Sequence, residues 1–149
     1  MAATPIEVSG PRILIVEDDP GICELLRVAL SRRKFSCVSS ANGQEAIDRL
    51  STETYDAILL DLMLPVVSGI DVIAYLKVTQ PEALDRVIVV TAASNTTLKA
   101  FGDLSLIRRL LRKPLDLMEL VEEIEGCADG DSGKAARPTP SPQEPTLLD

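Results

Sequence analysis

The residues of this chain best placed to do chemistry are carboxylates, a hydroxyl and an amine, each standing where an apolar run stops. Asp18 and Asp19 follow the run 13–16, Asp61 follows 57–60, Thr91 follows 86–90 and Lys113 follows 106–111. Apolar runs this short read as strands buried on both faces of a parallel sheet, most clearly 57–60, which has no polar alternation, and least clearly 106–111, which Arg108 and Arg109 interrupt. In such sheets ligands bind outside the carboxyl ends of the strands. Asp61 alone would serve equally well as a turn or helix-capping aspartate. Together, three carboxylates on one edge repel, and the cluster demands raised pKa values or a divalent cation. With oxygen donors and no histidine in the chain, that cation is Mg²⁺ (or Mn²⁺). A lysine and a hydroxyl beside it complete a site for a phosphoryl group, neutralising its equatorial oxygens. The chemistry indicated is phosphoryl transfer onto Asp61, from a donor on another molecule.

The elements that must position these groups alternate along the chain. Residues 1–11 are aperiodic and end in Gly10-Pro11, a flexible leader. A strand from Arg12 leads through Glu17-Asp18-Asp19 to Pro20 at the first position of a helix, where its missing N–H costs nothing. Ile22, Leu25, Leu26, Ala29 and Leu30 give that helix one apolar stripe. Residues 35–40 form a more polar strand suited to a sheet edge. Asn42 and Glu45 make a capping box for a short helix with Ala46, Ile47 and Leu50 inward.

After Asp61 a loop through Pro65 closes at Gly69. A third helix then buries Ile70, Ile73, Ala74 and Leu76, and Pro81 stops it. A strand over 86–90 precedes a weakly anchored helix over 94–99, which Gly102-Asp103 breaks. The fifth strand spans 106–111. Asp116 and Glu119 cap a last helix with Leu117, Leu120, Val121 and Ile124 inward and Gly126 as its stop. Residues 128–149, rich in Pro, Ser, Gly and acid, form a disordered tail. The folded unit, 12–127, is therefore α/β: five strands alternating with five helices, a doubly wound (βα)5 parallel sheet.

Composition narrows the function. A net charge of −8 argues against direct nucleic-acid binding, which needs a basic face. No apolar stretch reaches a bilayer's thickness and the N-terminus lacks a signal-peptide pattern, which fits a cytoplasmic protein. Three unpaired cysteines, Cys23, Cys37 and Cys127, fit a reducing compartment and match no zinc or redox spacing.

In these residues the chain resembles the receiver domain of two-component response regulators, the fold of the bacterial chemotaxis response regulator, over about residues 12–127. The carriers of the resemblance are the acidic pair Asp18-Asp19, Asp61 with Pro65 four and Gly69 eight residues on, Thr91, and Lys113-Pro114. The resemblance implies a flavodoxin-like sheet in the order 2-1-3-4-5. It implies Mg²⁺ held by Asp18, Asp19, Asp61 and the backbone carbonyl of Met63, with Asp61 the phosphoacceptor and Thr91 and Lys113 contacting the phosphoryl group. The donor would be a sensor histidine kinase or a histidine phosphotransfer protein. The signal would leave by binding an unknown downstream protein, a phosphorylation-linked dimer being one further form of output.

Two features depart from the family's pattern. Leu110 stands where members carry a Tyr or Phe switch, and Leu106-Ile107 replaces small residues before the fifth strand. Met63 and Ala93 occupy the positions flanking the attacking water, and neither orients one, so slow autodephosphorylation is expected. Arg108, Arg109 and Arg112 read either as a solvated strand edge or as a docking patch for an acidic partner. Two alternatives compete with the switch. One is a constitutive docking module that is never phosphorylated, which Leu110 supports. The other is a haloacid-dehalogenase-like phosphohydrolase, which needs an Asp where Met63 stands.

Overall fold

The structure, a computed structural model, describes residues 10–100 and 104–128. The expected leader up to residue 9, the Gly102-Asp103 break and the tail beyond Ala128 lie outside the described residues.

The strands are β1 (Arg12–Val16), β2 (Ser36–Ser40), β3 (Ala57–Leu60), β4 (Val87–Thr91) and β5 (Arg109–Arg112), all paired in parallel in the order β2-β1-β3-β4-β5. Strand residues alternate between two apolar layers, as a pleated sheet requires. Leu14, Val16, Ile58, Leu60, Val87 and Val89 face one layer with Ala46, Val72 and Leu76. Ile13, Ile15, Ala57, Leu59, Ile88, Val90 and Leu111 face the other with Leu26, Leu30, Leu120 and Ile124. Both faces of the central strands are thus covered by helices, and the polar β2 lies at an edge, as its composition predicts.

The helices are α1 (Pro20–Ser31), α2 (Gly43–Leu50), α3 (Gly69–Thr79), α4 (Asn95–Ala100) and α5 (Leu117–Ala128). Their starts follow side-chain chemistry. Asn42 accepts from the Glu45 N–H at 2.9 Å, and Asp116 accepts from Met118 and Glu119. Ser68 and Asp71 form a reciprocal capping box on α3.

Four expectations shift. Pro81 does not end helical structure but opens a 3-10 helix, Pro81–Arg86, because the first helical position needs no N–H; Ala83 and Leu84 are buried beneath it. Strand β5 begins three residues later than expected, leaving Leu106 exposed and Ile107 and Arg108 buried ahead of it. Helix α5 runs through Gly126 to Ala128. On α1 and α3, Leu25 and Ala74 face outward, and Val72 takes the buried position.

Candidate functional site

The carboxyl ends of β1, β3, β4 and β5 converge at one edge of the sheet. β1 pairs with β3 so that Val16 stands beside Leu60, and the next residues along the two strands, Glu17 and Asp61, are therefore level. The Asp61 N–H continues the ladder by donating to the Val16 carbonyl at 3.1 Å. Glu17 and Asp61 are both buried, 6% exposed each, and Asp18 is exposed at their rim. Carboxylate oxygens of Glu17, Asp18 and Asp61 lie within 4.8 Å of one another.

Asp19 is not in that cluster. Its Oδ1 accepts from the Gly21 and Ile22 N–H groups at 2.8 and 3.3 Å as the N-cap of α1, and its own N–H donates to Glu17 Oε2 at 3.2 Å. The acidic pair beside Asp61 is thus Glu17-Asp18 rather than Asp18-Asp19. The signal that could have found Glu17 is the strand register, which sets it opposite Asp61. Pro20 at the first helical position already makes the residue before it a cap.

Lys113 reaches the cluster from the end of β5. Its Nζ donates to Glu17 Oε1 at 3.0 Å and to Asp61 Oδ2 at 3.1 Å, while Asp61 Oδ1 accepts from the Met63 N–H at 3.0 Å. Both carboxylate oxygens of Asp61 are therefore bonded. Burial pulls the Lys113 pKa down, but hydrogen bonds to Glu17 and Asp61 outweigh it and leave the ammonium held above its ordinary range. Burial pushes the Glu17 carboxyl up, against the hydrogen bond from Lys113. The Lys113-Pro114 peptide is cis.

Thr91 is fully buried at the end of β4, and its Oγ1 accepts from the Ala93 N–H at 3.1 Å. Of the two positions expected to flank a water, Met63 is exposed and Ala93 is buried. Leu110 is half-buried and packs against the layer that holds Leu98 of α4.

The loop after Asp61 is fixed by close backbone approach. A Cβ on Gly69 would sit 2.4 Å from the Asp61 carbonyl oxygen, and one on Gly43 would sit 2.2 Å from that of Val67. Both glycines also donate across these contacts, Gly69 to Leu62 and Gly43 to Val67.

The three arginines of β5 and its approach all have partners within the fold, Arg109 and Arg112 being half-buried. Arg108 is buried and donates to Glu123, Arg109 donates to Glu119 and Glu123, and Arg112 donates to the Ala93 carbonyl and the Asn95 side chain. Arg108 and Arg109 meet carboxylates and Arg112 meets neutral oxygens. The free thiols of Cys37 and Cys127 are both pushed up to about 11 by burial.

The donor set suits a hard divalent cation: carboxylate oxygens converge and no nitrogen or sulfur ligand is among them. In the absence of a metal, the Lys113 ammonium supplies the neutralising charge.

Known proteins share this sequence pattern and fold. The family model of the response regulator receiver domain matches residues 13–125, and the chain belongs to that family. The transcriptional regulatory protein TcrA of Mycobacterium tuberculosis is 33% identical over 140 residues, 94% of this chain and 51% of that protein. The response regulator protein PilR of Pseudomonas aeruginosa is 34% identical over 115 residues, 77% of this chain and 25% of that protein. The chain thus spans about half of the first relative and a quarter of the second. Among solved structures, the receiver domain of a Francisella response regulator superposes with a TM-score of 0.72 at 25% identity, covering 81% of this chain and 98% of that one. The Thermotoga maritima response regulator TrrA, solved in complex with Mg²⁺ and BeF, superposes with a TM-score of 0.69 at 27% identity, covering 78% and 98%. Among the described residues no helix is long and apolar enough to cross a membrane.

Proposed function

We propose that this receiver domain is a phosphorylation-dependent switch in which Asp61 accepts a phosphoryl group from a phosphohistidine of a sensor kinase or phosphotransfer protein. The observation that carries the reading is the geometry of Asp61: buried, level with Glu17, bonded by Lys113 on one oxygen and by the Met63 N–H on the other. Glu17, Asp18 and Asp61 would hold Mg²⁺, with the Met63 carbonyl as the backbone ligand that family resemblance suggests. The cation's contribution is to neutralise charge on the transferring group. A carboxylate oxygen of Asp61 forms the new O–P bond while the donor's N–P bond breaks, and the electron pair of that bond stays on the imidazole nitrogen. Lys113 then exchanges one carboxylate partner for a phosphoryl oxygen, and the Thr91 hydroxyl donates to another. The acyl phosphate shifts a two-state equilibrium of the surface, which a cytoplasmic protein partner reads.

The test is incubation with Mg²⁺ and a small phosphodonor, followed by intact mass. One phosphoryl group gained by the wild type and none by Asp61→Ala is the expected result; no gain in either supports a docking module instead. The same assay measures lifetime. Met63 and Ala93 carry no group that can orient a water, so Met63→Gln should shorten the half-life of the acyl phosphate by about tenfold. An unchanged half-life would remove the explanation of slow hydrolysis from this position.

A further inference from the structure

We propose that Arg112 is a positioning residue for the Thr91 hydroxyl, acting through Ala93, and that its second bond ties the first turn of α4 to the same point. The geometry stands alone; its consequence for phosphoryl binding rests on the reading of Asp61 as acceptor.

Arg112 stands beside Thr91 in the β4–β5 register. Side chains alternate along β5: Leu111 belongs to the layer of α1 and α5, and Leu110 packs in the opposite layer. Arg112, two residues from Leu110, shares the face of Leu110, on which the family's aromatic switch would stand. From there its guanidinium crosses to the segment after β4. One nitrogen donates to the Ala93 carbonyl at 2.6 Å, and the other to the Asn95 side-chain oxygen. The N–H of the same Ala93 donates to Thr91 Oγ1. Ala93 is thus gripped at both backbone groups, by Thr91 on one side and Arg112 on the other. A hydroxyl has one proton to give, and an acceptor bond already fixed by Ala93 restricts where Thr91 can point it. A guanidinium suits this task because its planar fork meets two acceptors at a set spacing, which an ammonium does not reproduce. Arg109, three residues earlier, spends its fork on the carboxylates of α5. Arg112 spends its own on two neutral oxygens of the segment that holds Thr91.

Two measurements decide this. In the metal-free protein, Arg112→Met should speed amide hydrogen exchange at Ala93 about tenfold, with Ile15 in β1 and Leu59 in β3 unchanged. With Mg²⁺ and beryllium fluoride as the phosphoryl mimic, the same variant should bind about tenfold more weakly, while its affinity for Mg²⁺ alone stays at the wild-type value. Arg112→Lys separates charge from geometry, and full recovery of beryllium fluoride affinity by lysine would overturn positioning. Asn95→Ala should keep that affinity and lose the response of α4 amide signals to the mimic. Unchanged exchange at Ala93, or wild-type affinity in Arg112→Met, overturns the proposal. If the wild type does not bind the mimic while exchange at Ala93 depends on Arg112, the acceptor reading fails and the clamp on Thr91 stands.

Discussion

Lys113 bonds Glu17 and Asp61 at once, so in the metal-free protein one ammonium is the counter-ion of two buried carboxylates. Lys113→Met leaves both uncompensated and should cost about 2–3 kcal/mol, less than for a fully buried pair because the lysine side chain is 20% exposed. Urea denaturation measures this, and Mg²⁺ should return part of the loss by supplying the missing charge. The pH dependence follows from the direction of the shift. The lysine's pKa is raised in the folded state, so its stabilisation is complete below the ordinary value of 10.5 and is lost as pH rises through the higher folded value. The gap between wild type and Lys113→Met should therefore narrow above pH 10.5. Glu17 is also raised, by burial, so its ionisation works against folding as pH climbs through its folded value. At Cys37 the raised pKa has a chemical reading. A thiol at about 11 instead of 9 carries about a hundredfold less thiolate at neutral pH. Alkylation of native Cys37 by iodoacetamide should keep accelerating toward pH 11; a plateau above pH 9 would contradict the burial that causes the shift.

Between residue and fold, the site depends on how α3 meets the end of β3. Gly69, first residue of α3, lies so close to Asp61 that a methyl group would sit 2.4 Å from its carbonyl oxygen and 2.7 Å from the Cα of Leu62. Backbone on both sides leaves no side chain to give way. Gly69→Ala should cost at least about 2 kcal/mol and, on the proposed function, should also lower the rate of Asp61 phosphorylation, since relief requires moving the end of β3. A variant with wild-type stability and rate would show that the α3 start is softer than its contacts imply. The same scale shows what was legible in the sequence. The buried strands and the polar edge strand announce themselves through composition, and Asp61, Thr91 and Lys113 through their places at apolar run ends. The acidic triplet Glu17-Asp18-Asp19 offers two pairs, and only register and capping separate Glu17 from Asp19. Leu106 and Ile107 look like strand residues in sequence, which puts the expected start of β5 three residues early. Pairing with β4 begins at Arg109, and the burial of Arg108 depends on Glu123, fifteen residues away. No local pattern carries that partner.

Across the whole molecule, apolar layers on both faces of the sheet hold rigid an edge where like charges are forced together. The chain's net charge is −8, and Glu17, Asp18 and Asp61 concentrate part of it within 4.8 Å against a single lysine. The fold bears that repulsion in the metal-free state, so a cation that binds the folded edge and not the unfolded chain must stabilise the whole domain by mass action. At a hundredfold excess of Mg²⁺ over its dissociation constant the gain should be about 2.7 kcal/mol. Simple screening of a −8 chain would also stabilise it, and two controls separate the effects. NaCl at matched ionic strength should give only a small fraction of the gain. Asp18→Asn should lose the response to Mg²⁺ while being at least as stable as wild type without metal, because it removes one of three like charges from the rim and none of the bonds that Lys113 makes. Thermal unfolding of both proteins with and without Mg²⁺ makes the comparison. Equal stabilisation of wild type and Asp18→Asn would place the cation elsewhere on the acidic surface.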